Sequence, residues 1–450
     1  MSRDLTSGSI TRNILALSWP TMIAMLMHVG FNIVDAIFVG RISPEAIAAV
    51  SIVFPIVFLM FALGGGLGIG TTSLIARYIG AKKIKEADNA AEHSFIIAFV
   101  FSILFTIFGL LFANKLYLII GAAPDIVALA GNYSRWIFGF NIFMFISLAA
   151  TSILRGLGDM KTPMIGMVAA TILNIMLDPL LIFGIGFFPK LGIDGAAIAT
   201  VISRFVAAII MMYYIFSPKT AVSIKPKNFK FKPFFIKKIL KVGIPSSVNQ
   251  SLMSFAMIIF TKIIAGFGSI AIAAYGIGFR LESFVTLPVL AIATAVITIV
   301  GHNVGANNFD RAEKTTWIAA KISILIVSGI ALLFFLFPEI WFGIFSSNTE
   351  LISYGVDFLR ILSLSYIFVA MSIIVGSAFQ GAGFAMPRLI MTIVRLFIIA
   401  IPLALLFAFV LGYGLKGVWM GFAISSIIST LISIASVSYT HLTLPTNSKV

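Results

Sequence analysis

Apolar runs of membrane-spanning length follow one another along this chain, separated by short polar stretches. A helix needs about 20 apolar residues to cross the hydrocarbon core. Twelve runs qualify, at 14–39, 46–76, 91–114, 126–153, 162–187, 194–216, 243–266, 270–300, 315–337, 351–378, 388–411 and 416–437. Strands of a membrane barrel would instead be about 10 residues of alternating polarity. These runs are continuous, so the pattern predicts an all-α integral membrane protein with twelve transmembrane helices. Small residues such as the run Gly64-Gly65-Gly66-Leu67-Gly68 let helices approach closely in lipid.

A second regularity has the scale of half the chain. A shift of 225 positions aligns Pro20 with Pro245, Gly80-Ala81 with Gly305-Ala306, and Arg155-Gly156-Leu157-Gly158 with Gln380-Gly381-Ala382-Gly383. With small gaps, Pro179 meets Pro402, and Gly192 and Gly195 meet Gly414 and Gly417. Six spans per half is an even number, so both halves enter from the same side as parallel repeats. The expected organisation is two pseudo-symmetric six-helix lobes: an N-lobe over 1–216, a basic linker over 217–242 and a C-lobe over 243–437. The polar tail 438–450 continues no apolar pattern and is set aside as a candidate non-native appendage. Two similar lobes around a cavity suit alternating access.

Charge adds orientation. Of the 450 residues 60% are hydrophobic and 10% charged, yet the net charge is +15. The cations concentrate in alternate connections: Arg3 and Arg12, then Arg77, Lys82, Lys83 and Lys85, then Arg155 and Lys161. The series continues with the eight lysines of 217–242, then Arg311, Lys314 and Lys321, then Arg388. The intervening connections hold only Arg41, Lys115, Lys190, Lys262 and Lys416. Positive charge marks the cytoplasmic side, which predicts a multi-pass protein of the cell's inner (plasma) membrane with both termini cytoplasmic. Anionic lipid, not nucleic acid, is the partner this charge implies.

The chain has no cysteine, and its four histidines are scattered, which excludes a thiol nucleophile and a zinc cluster. No GxxxxGK[ST] phosphate loop occurs. A non-enzymatic carrier without a cofactor, driven by an ion gradient and acting as a monomer, is the expectation.

The duplicated frame exposes where the halves differ. Asp35 corresponds to Phe260, Asp178 to Ile401 and Asn174 to Phe397. A carboxylate at a helix centre costs roughly 2.5–3.5 kcal/mol on insertion scales. Asn174 and Asp178 share one helix face. Two carboxylates and an amide oxygen can bind Na⁺, can take up a proton, or can be locked by a buried arginine such as Arg135 or Arg204. Pro20 and Pro245 interrupt the first spans of the two halves and bend them, as moving parts or as fixed kinks. His28, Tyr133 and Glu282 are further polar candidates for substrate contact or for anchoring.

Several stretches resemble a known family. Ser18-Trp19-Pro20, Phe31-Asn32-Ile33-Val34-Asp35 and Phe38-Val39-Gly40 resemble the first helix of the multidrug and toxic compound extrusion (MATE) transporters. Leu154-Arg155-Gly156-Leu157-Gly158-Asp159 with Lys161-Thr162-Pro163, and Asn174 to Pro179, resemble two more of its motifs. So do Arg280-Leu281-Glu282-Ser283-Phe284 and Gly301-His302-Asn303-Val304-Gly305-Ala306. The resemblance implies the MATE/MOP-type fold and export of amphipathic, cationic drugs and toxins in exchange for H⁺ or Na⁺. It implies a cation-coupling site at Asp35, Asn174 and Asp178, with Thr200 and the backbone of Ala196 as further oxygens, and a gating bend at Pro20. Ser246 to Met253 and Phe379-Gln380-Gly381 lack acids, which resembles the DinF-like branch. A lipid-linked oligosaccharide flippase of the same superfamily is the alternative, and it would line its cavity with basic residues.

Overall fold

The computed structural model describes residues 4–443, apart from residues 120, 219, 223 and 225–228, with side chains described up to residue 432. Arg3, Lys219, Lys225 and Lys227 of the basic segments and tail residues 444–450 lie outside the described residues.

The first half contains α1 (Ile10–Gly40), α2 (Pro44–Gly80), α3 (Ile84–Ile119), α4 (Pro124–Gly139), α5 (Ile142–Gly156), α6 (Lys161–Phe183) and α7 (Ile193–Ile215). The second contains α8 (Pro233–Ala265), α9 (Ser269–Gly305), α10 (Phe309–Leu336), α11 (Pro338–Gly343), α12 (Thr349–Ser363) and α13 (Tyr366–Ala382). It closes with α14 (Met386–Ile393), α15 (Ile401–Leu405) and α16 (Gly414–Thr443), and π-helical turns over Val394–Ala400 and Leu406–Val410 flank α15. Among the described residues no strand occurs. Among the described residues ten helices are individually long and apolar enough to span, and the total is twelve if each of two bent pairs is one span.

Those bent pairs differ from the expected continuous runs at 126–153 and 351–378. α4 and α5 meet at 46°, and α12 and α13 meet at 52°. At the first break the Asn141 side chain donates to the Phe138 carbonyl at 2.6 Å, and Thr106 Oγ donates to the same oxygen at 2.9 Å. Side chains thus replace the helical partner that the kink removes. Ser365 Oγ does the same for the Leu362 carbonyl at 2.8 Å.

The repeat is visible in the element boundaries. α2 and α9 start at 44 and 269, α3 and α10 at 84 and 309, α4 and α12 at 124 and 349, α6 and α14 at 161 and 386. Each pair differs by 225. The left-handed residues follow the same offset: Lys82 (φ 57°) and Asn307 (φ 58°), Gly158 (φ 81°) and Gly383 (φ 95°).

Two helix ends depart from expectation. α8 begins at Pro233, inside the stretch read as linker, because Phe235, Ile239 and Val242 recur at helical spacing and are buried. Proline suits the first helical position, where no amide partner is lost. α16 continues to Thr443, past the start of the tail set aside above.

The chain forms two compact units. Unit 1 holds Met1–Gly8, Leu15–Ser247 and Gly301–Asn308, and unit 2 holds Ser9–Ile14, Val248–Val300 and Phe309–Val450. Glycines bring helices of unit 1 together. A Cβ at Gly66 would fall on Ser247, and one at Gly70 on the Ile239 carbonyl, so α2 packs backbone to backbone on the first turns of α8. Gly80 and Gly305 form a reciprocal crossing: a Cβ on Gly80 would strike the His302 carbonyl, and one on Gly305 the Arg77 carbonyl. Nearby, His302 Nε2 lies 2.9 Å from the Gly156 carbonyl, and the Asn303 amide donates to the Leu5 carbonyl at 3.1 Å.

Candidate functional site

The polar cluster of unit 1 is assembled from α1, α4, α6 and α7. α6 starts where Asp159 accepts from the backbone N–H groups of Lys161 and Thr162, both at 3.0 Å, and from Thr162 Oγ at 2.6 Å. These bonds satisfy otherwise orphaned N-terminal donors. The helix ends at Gly184 in the left-handed conformation (φ 72°), which only glycine adopts readily. The chain then folds back, with the Leu191 and Gly192 amides donating to Leu181 and Ile182 at 2.9 and 3.1 Å. Gly195 lets α7 approach closely, since a Cβ there would sit 2.5 Å from the Leu181 carbonyl. This hairpin sets Asp178 on α6 next to α7. α1 joins through Thr171 Oγ, which donates to the Met27 carbonyl at 3.4 Å, and through Phe38 and Phe183, whose centroids are 6.4 Å apart.

Asn174 and Asp178 are fully buried, Thr200 is 3% exposed and Asp35 8%. Asn174 Nδ2 donates to Asp178 Oδ1 at 3.0 Å. The remaining oxygens have no protein partner: Asp35 Oδ1, Asn174 Oδ1, Asp178 Oδ2 and Thr200 Oγ are all buried and unsatisfied, as is Ser203 Oγ. Buried acceptors are nearly always filled, and each empty one costs about 1–3 kcal/mol. Asp35 and Asp178 lie within electrostatic reach of one another, and both act on Tyr133, itself buried on α4. Ala196 is buried one turn before Thr200. Asp35, Tyr133, Asn174 and Asp178 therefore belong to one neighbourhood, and Ala196 and Thr200 are buried on α7, which packs against α6.

The arginine lock weighed from sequence does not form at Asp35 or Asp178: among the described residues the ion pairs within 4.0 Å are Arg360 with Glu339 and Lys416 with Asp357. Arg204 is within electrostatic reach of Asp35 but sits over the Phe61 ring, 5.0 Å from its centroid. His28 meets Phe61 edge-on with centroids 5.6 Å apart. Arg204 lies one turn after Thr200 on α7, and that spacing is the signal in the sequence for its place beside the cluster. Pro20 is a buried residue inside α1, and Pro245 lies inside α8. Glu282 is on α9 in unit 2, half-buried and within electrostatic reach of Arg395, Tyr275 and Tyr366. Arg280 beside it is exposed.

The family model MatE matches residues 20–180 and again 245–406. The chain belongs to the MATE family. The double match repeats the internal offset, with the MATE unit beginning at 20 and at 245. The probable multidrug resistance protein YoeA of Bacillus subtilis is 27% identical over 436 residues, covering 96% of this chain and 94% of that protein. A FAD transporter of Shewanella oneidensis is 26% identical over 432 residues, covering 94% and 93%. A solved multidrug resistance MATE transporter of the MOP superfamily, in an outward-facing conformation, superposes with a TM-score of 0.91 at 31% identity, covering 98% of this chain and 99% of that one. The chain is thus a multi-pass membrane protein of a transporter family with the MATE architecture.

Proposed function

We propose that this MATE chain is a secondary antiporter that exports amphipathic, cationic organic compounds in exchange for H⁺ or Na⁺ by alternating access. Its place is the plasma membrane, with both termini cytoplasmic, anionic lipid along the basic loops, and the monomer as working unit. The observation that carries the reading is the set of buried, unpartnered oxygens of Asp35, Asn174, Asp178 and Thr200. A hard cation takes oxygen ligands, and a proton can serve one carboxylate. Either would satisfy acceptors that the protein leaves empty, and a cationic substrate would compete for the same negative charge. Mutually exclusive binding of ion and substrate is one way to couple their opposite movements. Relatives named for multidrug resistance support the drug class, and the FAD transporter extends the family's range to an anionic dinucleotide.

The flippase alternative calls for a basic lining. Of the five arginines deep inside the apolar runs, Arg135 and Arg280 are exposed, and Arg360 pairs with exposed Glu339. Arg204 in unit 1 and Arg395 in unit 2 remain, while Arg77, Arg155 and Arg388 lie near helix ends, which favours the antiporter.

The test is ethidium transport by purified protein in vesicles, with Na⁺ and H⁺ gradients imposed separately. Asp35→Asn and Asp178→Asn should each reduce gradient-driven transport to the protein-free background while the protein still inserts and elutes as a single species. Wild-type rates in both variants would overturn the reading.

A further inference from the structure

His93 on α3 is fully buried and takes no part in the oxygen cluster. What covers it is the connection between α7 and α8. Phe229 and Phe231 of that connection, and Phe235 in the first turn of α8, set their rings around the imidazole, with centroids 5.2, 5.8 and 5.4 Å away. Both ring nitrogens end on backbone. Nδ1 lies 2.7 Å from the Asn89 carbonyl, and the Lys232 N–H donates to Nε2 at 2.8 Å. A carbonyl only accepts and an amide N–H only donates, so this pairing requires a neutral ring with its proton on Nδ1. Pro233 opens α8, and the amide just ahead of it finds its acceptor on a side chain 139 positions earlier in the chain. Phe235 in turn packs edge-on against Tyr78 of α2, with centroids 6.0 Å apart. A stretch that reads as solvated tether is therefore docked on unit 1 through one histidine.

We propose that His93 is a pH-sensitive latch for the connection between α7 and α8. A proton on Nε2 turns the acceptor into a donor that faces the Lys232 N–H, and two donors cannot bond. The three phenyl faces can accommodate a cation, but they cannot replace the lost lone pair. Docking thus draws on the neutral ring: it is present at neutral and alkaline pH and is lost as acid protonates the imidazole. The titratable groups on the surrounding elements are Asp88 and Glu92 on α3, Arg77 and Tyr78 on α2 and Arg155 on α5. The connection adds Lys230 and Lys232, and α8 adds Lys237 and Lys238. Both ring nitrogens are already taken by backbone groups, so the switch is the ring's own proton. Release of residues 229–232 frees the tether that joins the two repeats. By the orientation proposed above the pH sensed is that of the cytoplasm, and the latch itself stands independently of the antiport reading.

Hydrogen exchange of the purified full-length protein in detergent, at about pH 8 and about pH 5.5, brackets the imidazole proton. The readout is the protection of the 229–232 amides, with each rate taken relative to the intrinsic rate at the same pH. In the wild type that protection should fall about tenfold from the higher to the lower pH, while the middle of α3 keeps its own. His93→Gln retains an acceptor at the reach of Nε2 without titrating, so its protection should be the same at both pH values. His93→Phe retains a ring among the phenylalanines but removes the acceptor, and it should be unprotected at both. Equal protection of the wild type at the two pH values, or an acid-induced loss of the same size in His93→Gln, would overturn the proposal. Should His93→Phe not fold, the wild type and His93→Gln decide between them. No gradient and no transported compound enter the measurement, so a failure of the antiport reading would leave its result untouched.

Discussion

The two halves of this MATE chain share a backbone frame and fill it with opposite chemistry. Where the first has Asp35 on α1, the second has Phe260 on α8, and where the first has Thr200 on α7, the second has Phe422 on α16, at the offset that pairs Gly192 with Gly414. In unit 1 these positions leave oxygens unsatisfied. In unit 2 the two rings lie 3.8 Å apart at 31°, and Phe260 is 1% exposed. α6 runs as one α-helix through Asn174, Asp178 and Pro179, whereas its counterpart widens into π-helical turns on both sides of α15. The difference runs the other way at Glu282 and Arg395, whose counterparts are the apolar Val57 and Ile172. Duplication supplies architecture; single-residue chemistry supplies function. An aromatic pair closes one bundle by packing, while the other holds buried oxygens without a protein partner.

The sharpest way to break this comparison, after neutralising Asp35 or Asp178, is to write one half's chemistry into the other. Phe260→Asp removes the ring packed against Phe422 and puts a carboxylate in its buried place, which should cost about 3–5 kcal/mol. Thermal unfolding in detergent should show this as a lowered midpoint, and an unchanged midpoint would mean that the second bundle tolerates the charge. Thr200→Val deletes one oxygen at nearly constant volume. It should raise the half-saturating concentration of the coupling ion about tenfold, while the folded protein loses at most about 1 kcal/mol. An unaltered ion dependence would remove Thr200 from the ligand set. Smallest of all, Ile401→Leu preserves volume and polarity in the apolar half, so vesicle transport should stay within about twofold of the wild type. A large loss there would mean that the second half carries more of the mechanism than its composition suggests.

Much of this was legible in the sequence because lipid imposes a simple code. Apolar length gave the spans, and the positions of Pro20, Gly80 and Gly158 against their partners 225 residues later gave the repeat. The buried acids stood out because a carboxylate in a membrane helix has few bland explanations. The breaks between α4 and α5 and between α12 and α13 were not legible. They depend on Asn141, Thr106 and Ser365 donating to freed carbonyls, and such polar residues also occur in unbroken spans. The early start of α8 was hidden for a related reason: five lysines and Pro233 between 230 and 241 read as solvated tether, and only the burial of Phe235 and Ile239 reveals a helix. Arg204 was seen as a charge, but its orientation toward Phe61 is a tertiary fact that no spacing rule supplies.

The crossing of Gly80 with Gly305 has an implication for how this joint can change. Arg77 and His302 are themselves equivalent under the 225-residue offset, so each half offers the other the same glycine and receives it on the same carbonyl. A joint with that property is isologous, the type that two copies of one chain make around a two-fold axis. A side chain added to either glycine would meet backbone from the other half, so neither position can change without a shift on both sides of the joint.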